Sequence, residues 1–149
     1  MGLMDKLGSQ LVQGVLGNMS ELTPEALHKE YGAYLMEGET IQTGFVLIRD
    51  AMVITNKRIL EFDKQGATGQ KMRVNSIYLN SIFNVSAETA GFGLDDSELE
   101  LYYIETPYMK AHGVEYARKK FEFPKKYNIQ GLYKMLQEVA YENYLNLNK

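Results

Sequence analysis

Apolar and polar positions alternate in short blocks between residues 44 and 63, GFVLIRDAMVITNKRILEFD. Apolar runs cover residues 45–48, 51–55 and 58–62, and the polar pairs Arg49-Asp50 and Asn56-Lys57 separate them. Runs rich in Val, Ile and Phe that are broken by Asp and Asn are typical of antiparallel strands joined by tight turns. The pattern therefore predicts a three-stranded β-meander.

Further apolar runs predict four more strands. They cover residues 71–75, 82–89, 98–104 and 116–123. Because strand side chains alternate between faces, Phe83, Val85 and Ala87 are expected to share one face, and Phe121 and Phe123 are expected to point inward. About seven strands result, and their edges would need closure or covering.

Helical periodicity is present on both sides of the predicted strands. Near the N-terminus, apolar residues recur every four positions at Leu3, Leu7, Leu11 and Val15. This stripe predicts a helix packed on the body or on a neighbouring subunit, and an interfacial membrane helix is the alternative. A second helix is predicted to begin after Thr23, with Pro24 at its first position, and to end near Gly38.

A long amphipathic helix is predicted for residues 128–146. Its inner stripe consists of Ile129, Leu132, Leu136, Val139 and Ala140. Tyr133, Tyr141 and Tyr144 lie off this stripe, so they join the N-terminal stripe as candidate oligomer contacts.

The predicted fold is mainly β with flanking helices. A seven-stranded antiparallel barrel or sandwich is capped by the C-terminal helix and preceded by N-terminal helices. We predict a helical segment at residues 1–38 and the β-domain with its C-terminal helix at residues 39–149, together forming one structural unit.

Composition is that of an ordinary soluble domain, with 149 residues, 45% hydrophobic and 23% charged. No apolar run is long enough for a transmembrane helix, and we see no signal peptide. The chain has no cysteine, which removes disulfide and thiol chemistry. A net charge of −3 argues against a nucleic-acid partner. We expect a cytoplasmic protein, with a location at the membrane periphery as the alternative.

The sequence carries no pattern that predicts catalysis, a cofactor or a metal. His28 and His112 are the only histidines and lie far apart. The acidic turn Asp95-Asp96 lacks the ligand spacing of a calcium loop. We therefore do not expect an enzyme, and we assign no catalytic, metal or cofactor-binding residue.

A basic group of residues precedes the C-terminal helix. Its members are Lys110, Arg118, Lys119, Lys120, Lys125 and Lys126. One interpretation is a solvated edge that prevents aggregation between sheets. The other is a patch for an acidic partner or an anionic lipid, and Glu98, Glu100 or Asp95 of a neighbouring subunit could supply the acidic groups.

The amino-acid sequence of the β-region resembles the bacterial pleckstrin-homology-like family over about residues 30–145. The landmarks are Thr55-Asn56-Lys57-Arg58, the Gly66/Gly69 hairpin, Ser76-Ile77, Ser81-Ile82 and Glu88-Thr89-Ala90-Gly91. The resemblance implies a pleckstrin-homology fold, no assigned biochemical activity and ring-like homo-oligomers. Phosphoinositide-binding members of the wider group carry a Lys/Arg cluster in the first two strands and their loop, where this chain has Arg49 beside Asp50. No ligand residue is therefore carried over.

These observations lead to two main hypotheses. The first is a non-enzymatic module that assembles into a homo-oligomer and serves as a platform for protein or peptide partners. The alternative is a peripheral binder of anionic membrane surfaces or lipid headgroups through the basic group. Peptide capture at an exposed strand edge is a third possibility.

Overall fold

The computed structural model describes residues 22–47, 50–65, 71–90 and 96–149. These residues form two compact units that divide between Ser76 and Ile77. The predicted helix with Leu3, Leu7, Leu11 and Val15 lies outside the described residues. The boundary that we placed at residue 38 stays a prediction.

Four antiparallel strands form the sheet of the first unit. They are β1 (Ile41–Val46), β2 (Asp50–Thr55), β3 (Arg58–Gln65) and β4 (Lys71–Tyr78), and they lie side by side in chain order. The predicted meander is confirmed by the pairing of β1 with β2 and of β2 with β3. β1 begins earlier than predicted and β4 ends later.

The first described helix, α1 (Pro24–Tyr31), begins as the sequence predicts. The Thr23 hydroxyl accepts a hydrogen bond from the Ala26 amide at 3.1 Å, which satisfies one of the free amides at a helix start. The predicted end near Gly38 is wrong. A short 3-10 turn follows at Gly32–Tyr34, and the backbone is then extended at Leu35, so helical hydrogen bonding ends several residues earlier.

The core of the first unit lies between α1 and one face of its sheet. Leu27 and Tyr31 of α1 join a buried cluster that also contains Ala51, Val53, Leu60 and Phe62. Gly44 allows the close approach of the helix, because a Cβ atom there would lie 2.7 Å from Leu27 Cδ2.

Three antiparallel strands form the sheet of the second unit. They are β5 (Ile82–Glu88), β6 (Ser97–Ile104) and β7 (Tyr116–Phe123), again in chain order. Together with the first sheet they confirm the predicted seven strands. Phe121 and Phe123 are buried, as the alternation in β7 predicts.

The predicted face of β5 is wrong for one residue. The pairing of β5 with β6 shifts register between Ile82 and Asn84. Such an irregularity inserts an extra residue and interrupts the alternation of side chains. Ile82 is consequently buried, whereas Phe83 packs edge-on against Tyr102 and Tyr116.

The C-terminal helix, α2 (Ile129–Leu147), packs on β5 and β6. All five residues of its predicted stripe are buried. The side chain of Asn143 donates hydrogen bonds of 2.7 and 2.8 Å to the carbonyls of Leu79 and Ile82, which holds the turn before β5 against the helix. No described helix is both long enough and apolar enough to span a membrane.

Candidate functional site

The Thr55-Asn56-Lys57-Arg58 segment connects β2 to β3 and carries a buried ion pair. Arg58 Nε donates to Glu39 Oε2 at 2.8 Å, and Arg58 Nη2 donates to Glu39 Oε1 at 2.9 Å. The side chains of Arg58 and Glu39 are 11% and 0% exposed. This two-pronged geometry is the strongest arrangement that an arginine makes with a carboxylate.

Further hydrogen bonds complete the ion pair. The Thr55 hydroxyl donates to Glu39 at 2.7 Å, and the Met36 amide donates to the same carboxylate at 2.9 Å. Arg58 also donates to the Tyr34 carbonyl and to the Ser76 hydroxyl, each at 2.8 Å. Every group here is matched by a partner of suitable chemistry, as a buried ion pair requires.

The pKa of Glu39 reflects this environment. Burial alone would raise the pKa of the carboxyl group, because it disfavours the charged form. The hydrogen bonds from Arg58, Met36 and Thr55, with the charge of Arg58, outweigh burial and hold the pKa below its ordinary value. Glu39 is therefore ionised at neutral pH.

Asn56 adds a second set of hydrogen bonds to the same connection. Its side-chain oxygen accepts from the Thr40 amide at 2.9 Å, and its side-chain nitrogen donates to the Gly38 carbonyl at 3.1 Å. Through these hydrogen bonds, the Thr55-Asn56-Lys57-Arg58 segment holds the chain before β1 against the β2–β3 turn. We assign it a structural role, since the contacts described for Thr55, Asn56 and Arg58 are made within the first unit.

The basic residues occupy several positions in the second unit. Arg118 and Lys120 share one face of β7, and each lies diagonally across from a glutamate of β6, Arg118 at 3.9 Å from Glu100 and Lys120 at 3.4 Å from Glu98. Lys119 belongs to the other face by strand alternation, and its Nζ lies 5.8 Å from the centre of the Phe121 ring. The glutamates that we considered as contacts from a neighbouring subunit therefore face these cations within the chain.

The other three basic residues lie away from this pair along the chain. Lys125 and Lys126 are exposed at the corner between β7 and α2. Lys110 donates a hydrogen bond of 2.9 Å to the carbonyl of Lys149, after the end of α2. The structure brings together Arg118 and Lys120, but it does not group all six basic residues on one strand face.

The outer side of α2 carries exposed aromatic groups. Tyr141 and Tyr144 are 61% and 59% exposed, Leu145 is 41% exposed, and Tyr133 is half-buried. We call these four residues the aromatic face of α2. Leu145 was not among the predicted contacts, although its position four residues after Tyr141 is the signal that would have added it.

The two histidines, to which we assigned no metal-binding role, lie in the part of the chain that the structure describes. Within the described ranges, no cluster of three or more His, Cys, Asp or Glu side chains is placed to hold a metal ion. His28 and His112 are both exposed.

Comparison with known proteins identifies the family. A model of the bacterial PH domain family matches residues 10–140. The chain belongs to the bacterial PH domain family. This PH domain is 38% identical over 129 residues to the uncharacterized protein YjqA of Bacillus subtilis strain 168, covering 87% of this chain and 97% of the relative.

Two solved structures resemble this PH domain at 30% identity. The pleckstrin homology domain from Shewanella amazonensis SB2B has a TM-score of 0.60, and the match covers 93% of this chain and 98% of the Shewanella chain. A protein with a pleckstrin-homology domain from Shewanella loihica PV-4 has a TM-score of 0.61, with coverages of 81% and 96%. The family and fold that the sequence landmarks suggested are therefore confirmed.

Proposed function

We propose that this PH domain is a non-enzymatic interaction module that assembles with further copies of itself through the aromatic face of α2. The observation that carries this proposal is the exposure of Tyr141 and Tyr144 on a helix whose opposite face is buried. Tyrosine is enriched at protein interfaces because its ring buries a large area while its hydroxyl can still reach a hydrogen-bond partner.

The helix is suited to present these rings rigidly. Its inner stripe is fully packed, and Asn143 ties it to the turn before β5. A surface that is ordered before binding loses little conformational entropy on association. Two copies related by a two-fold axis would place the same aromatic surface on both sides of the interface.

Charges beside the aromatic face favour a second copy as the occupant. Lys134 and Glu138 are both exposed, one helical turn apart on α2. A copy in the opposite orientation can therefore offer either sign of charge. Self-association along β7 is disfavoured, because Arg118, Lys119 and Lys120 of two copies would be brought together at that strand edge.

Light scattering after gel filtration tests the assembly. We expect the wild-type protein at micromolar concentration to show a multiple of the 17.0 kDa chain mass. The double substitution Tyr141→Ser/Tyr144→Ser should lower that mass. Tyr108→Ser is the matched control, since Tyr108 is 80% exposed but lies off α2, and it should leave the mass unchanged.

The possible outcomes test separately whether the protein assembles and whether it does so through the aromatic face of α2. A wild-type mass of one chain at every concentration would contradict the assembly itself. A double variant that keeps the wild-type mass would contradict the assignment to the aromatic face. Circular dichroism of each variant shows whether the fold is retained.

Binding to an anionic membrane surface has less support. Arg118 and Lys120 already lie close to Glu100 and Glu98, which reduces the positive charge that they offer to a membrane. We expect the protein to remain in the supernatant with both neutral and anionic vesicles at low salt, where charge screening is weakest. Sedimentation with anionic vesicles alone would favour the membrane hypothesis.

A further inference from the structure

A groove of ≈ 250 Å³ opens in the first unit beside the end of α1. Its lining residues are Glu30, Tyr31, Val46, Leu47, Asp50, Ala51, Phe62, Lys64 and Met72. The apolar members include four nearly buried side chains, Tyr31, Leu47, Ala51 and Phe62. This groove is independent of the aromatic face of α2, which belongs to the second unit.

Two aromatic rings form part of the groove wall. The ring centres of Tyr31 and Phe62 are 4.3 Å apart at an interplanar angle of 33°. Aromatic and aliphatic walls of this kind favour a compact apolar body.

Charged groups line the same groove. Glu30 and Asp50 contribute two carboxylates, and Lys64 contributes one ammonium group. The described lining residues therefore carry an excess of negative charge. A concave site with this balance attracts a small cation and repels an anion.

The carboxylate of Glu30 is oriented by the buried phenol of Tyr31. Burial raises the pKa of Tyr31 to about 12, with further contributions from the charge of Glu30 and from the hydrogen bond between the two side chains. A phenol is protonated at neutral pH in any case, so the Tyr31 hydroxyl is the donor in its hydrogen bond with Glu30. A carboxylate has about four acceptor positions, so Glu30 can accept another hydrogen bond.

We propose that this groove binds a small protonated amine with a compact apolar body. The body packs against Leu47, Phe62 and Met72, and the ammonium group donates to the carboxylates of Glu30 and Asp50. The groove is somewhat smaller than typical ligand pockets, so it suits an arylalkylamine or alkylamine better than a larger ligand. No covalent step is involved.

Three probes of nearly equal size test the proposed charge preference. Phenethylammonium, phenylacetate and 2-phenylethanol share an aromatic body and differ in the charge of the head group. We expect phenethylammonium to bind at least about tenfold more tightly than the other two, because its hydrogen bonds to carboxylates are charge-assisted. Amide shifts in two-dimensional NMR spectra of the full chain give both the affinity and the site.

Substitutions on α1 test the assigned carboxylate. Glu30→Gln changes an exposed side chain, so the fold should be retained, and the affinity for phenethylammonium should fall about tenfold. Its affinity for 2-phenylethanol should not change. Glu25→Gln is the matched control, because Glu25 is exposed on the same helix but does not line the groove.

Three results would overturn the proposal. The first is equal or tighter binding of phenylacetate or 2-phenylethanol. The second is an unchanged affinity for phenethylammonium in Glu30→Gln. The third is the absence of shifts at the groove residues with millimolar phenethylammonium. None of these results depends on whether the protein assembles.

Discussion

Each compact unit contains oppositely charged side chains in contact, but the two units differ in how they expose them. In the first unit, Glu39 and Arg58 are almost completely removed from water and are joined by two hydrogen bonds. In the second unit, Lys120 lies 3.4 Å from Glu98, and their side chains are 49% and 33% exposed. The two units therefore contain the same kind of ion pair, which is buried in the first unit and partly exposed in the second.

The difference shows that burial determines whether a charge pair specifies the local structure or only modifies the surface. An exposed pair contributes about 0–1 kcal/mol, because water and salt screen it and two long side chains must be ordered. Formation of a buried pair adds little net stability, because the loss of hydration offsets the attraction between the charges. Removal of one partner is costly, however, because it leaves an uncompensated charge in the interior. The pair between Glu39 and Arg58 thus specifies one arrangement of its connection, whereas the pair on β6 and β7 modifies a surface.

The second unit has a buried polar contact of another kind. Asn143 satisfies the carbonyls of Leu79 and Ile82 with a neutral amide. A neutral amide loses less hydration free energy on burial than an ion does. We therefore expect the effects of substitution to decrease from Glu39 to Asn143 to Lys120.

The largest effect is expected for Glu39→Ala. This substitution should lower the free energy of unfolding by about 3–5 kcal/mol, because Arg58 would stay buried without its carboxylate. Urea unfolding followed by circular dichroism measures the loss. Glu100→Ala, which removes a partly exposed carboxylate, is the control, and an equally small loss in both variants would contradict the comparison.

The next effect is a loss of stability in acid. Since the pKa of folded Glu39 lies below its unfolded value of about 4.3, ionisation stabilises the folded state above that value. The contribution is lost as pH falls through the folded pKa. Urea unfolding between about pH 6 and about pH 3 should show a steeper decline for wild type than for Glu39→Gln. Parallel declines would argue against this linkage.

A smaller loss is expected for Asn143→Ala. The substitution leaves two carbonyls without their donor, so the free energy of unfolding should fall by about 1–3 kcal/mol. Asn146→Ala is the matched control, because Asn146 is an exposed asparagine on the same helix. Equal urea midpoints for the two variants would show that the buried contacts of Asn143 add little.

The smallest effect is expected for Lys120→Gln. It should lower the free energy of unfolding by less than about 1 kcal/mol, and the difference from wild type should vanish in about 1 M salt. Urea unfolding at low and high salt gives both values. A loss as large as that of Asn143→Ala would mean that the exposed pair is coupled to the interior.

Local sequence patterns predicted most of the fold. Apolar runs separated by Asn56-Lys57 predicted the β2–β3 hairpin, and a stripe of 3.6-residue period predicted the buried side of α2. Both features depend on neighbours in the chain, so a single sequence carries them. The interruption in β5 escaped prediction because it is defined by pairing with β6, and Phe83 consequently took the opposite face.

The candidate sites were less accessible to sequence reasoning. The exposed tyrosines of α2 could be proposed from their position off the stripe. The groove could not, because Glu30, Asp50 and Lys64 come from three separate elements and have no common spacing. The faces of the basic residues follow from strand alternation, which places Lys119 away from Arg118 and Lys120, and the patch for an acidic partner stays a prediction.

The sequence by itself determined the order of strands and helices, because hydrophobic periodicity and turn residues act over a few neighbouring positions. The tertiary structure decided which polar groups are buried together. Glu39 and Arg58 are 19 positions apart, and no periodicity links them. Their pairing arises only when the connection before β1 lies against the β2–β3 turn, where desolvation makes a precise partner necessary.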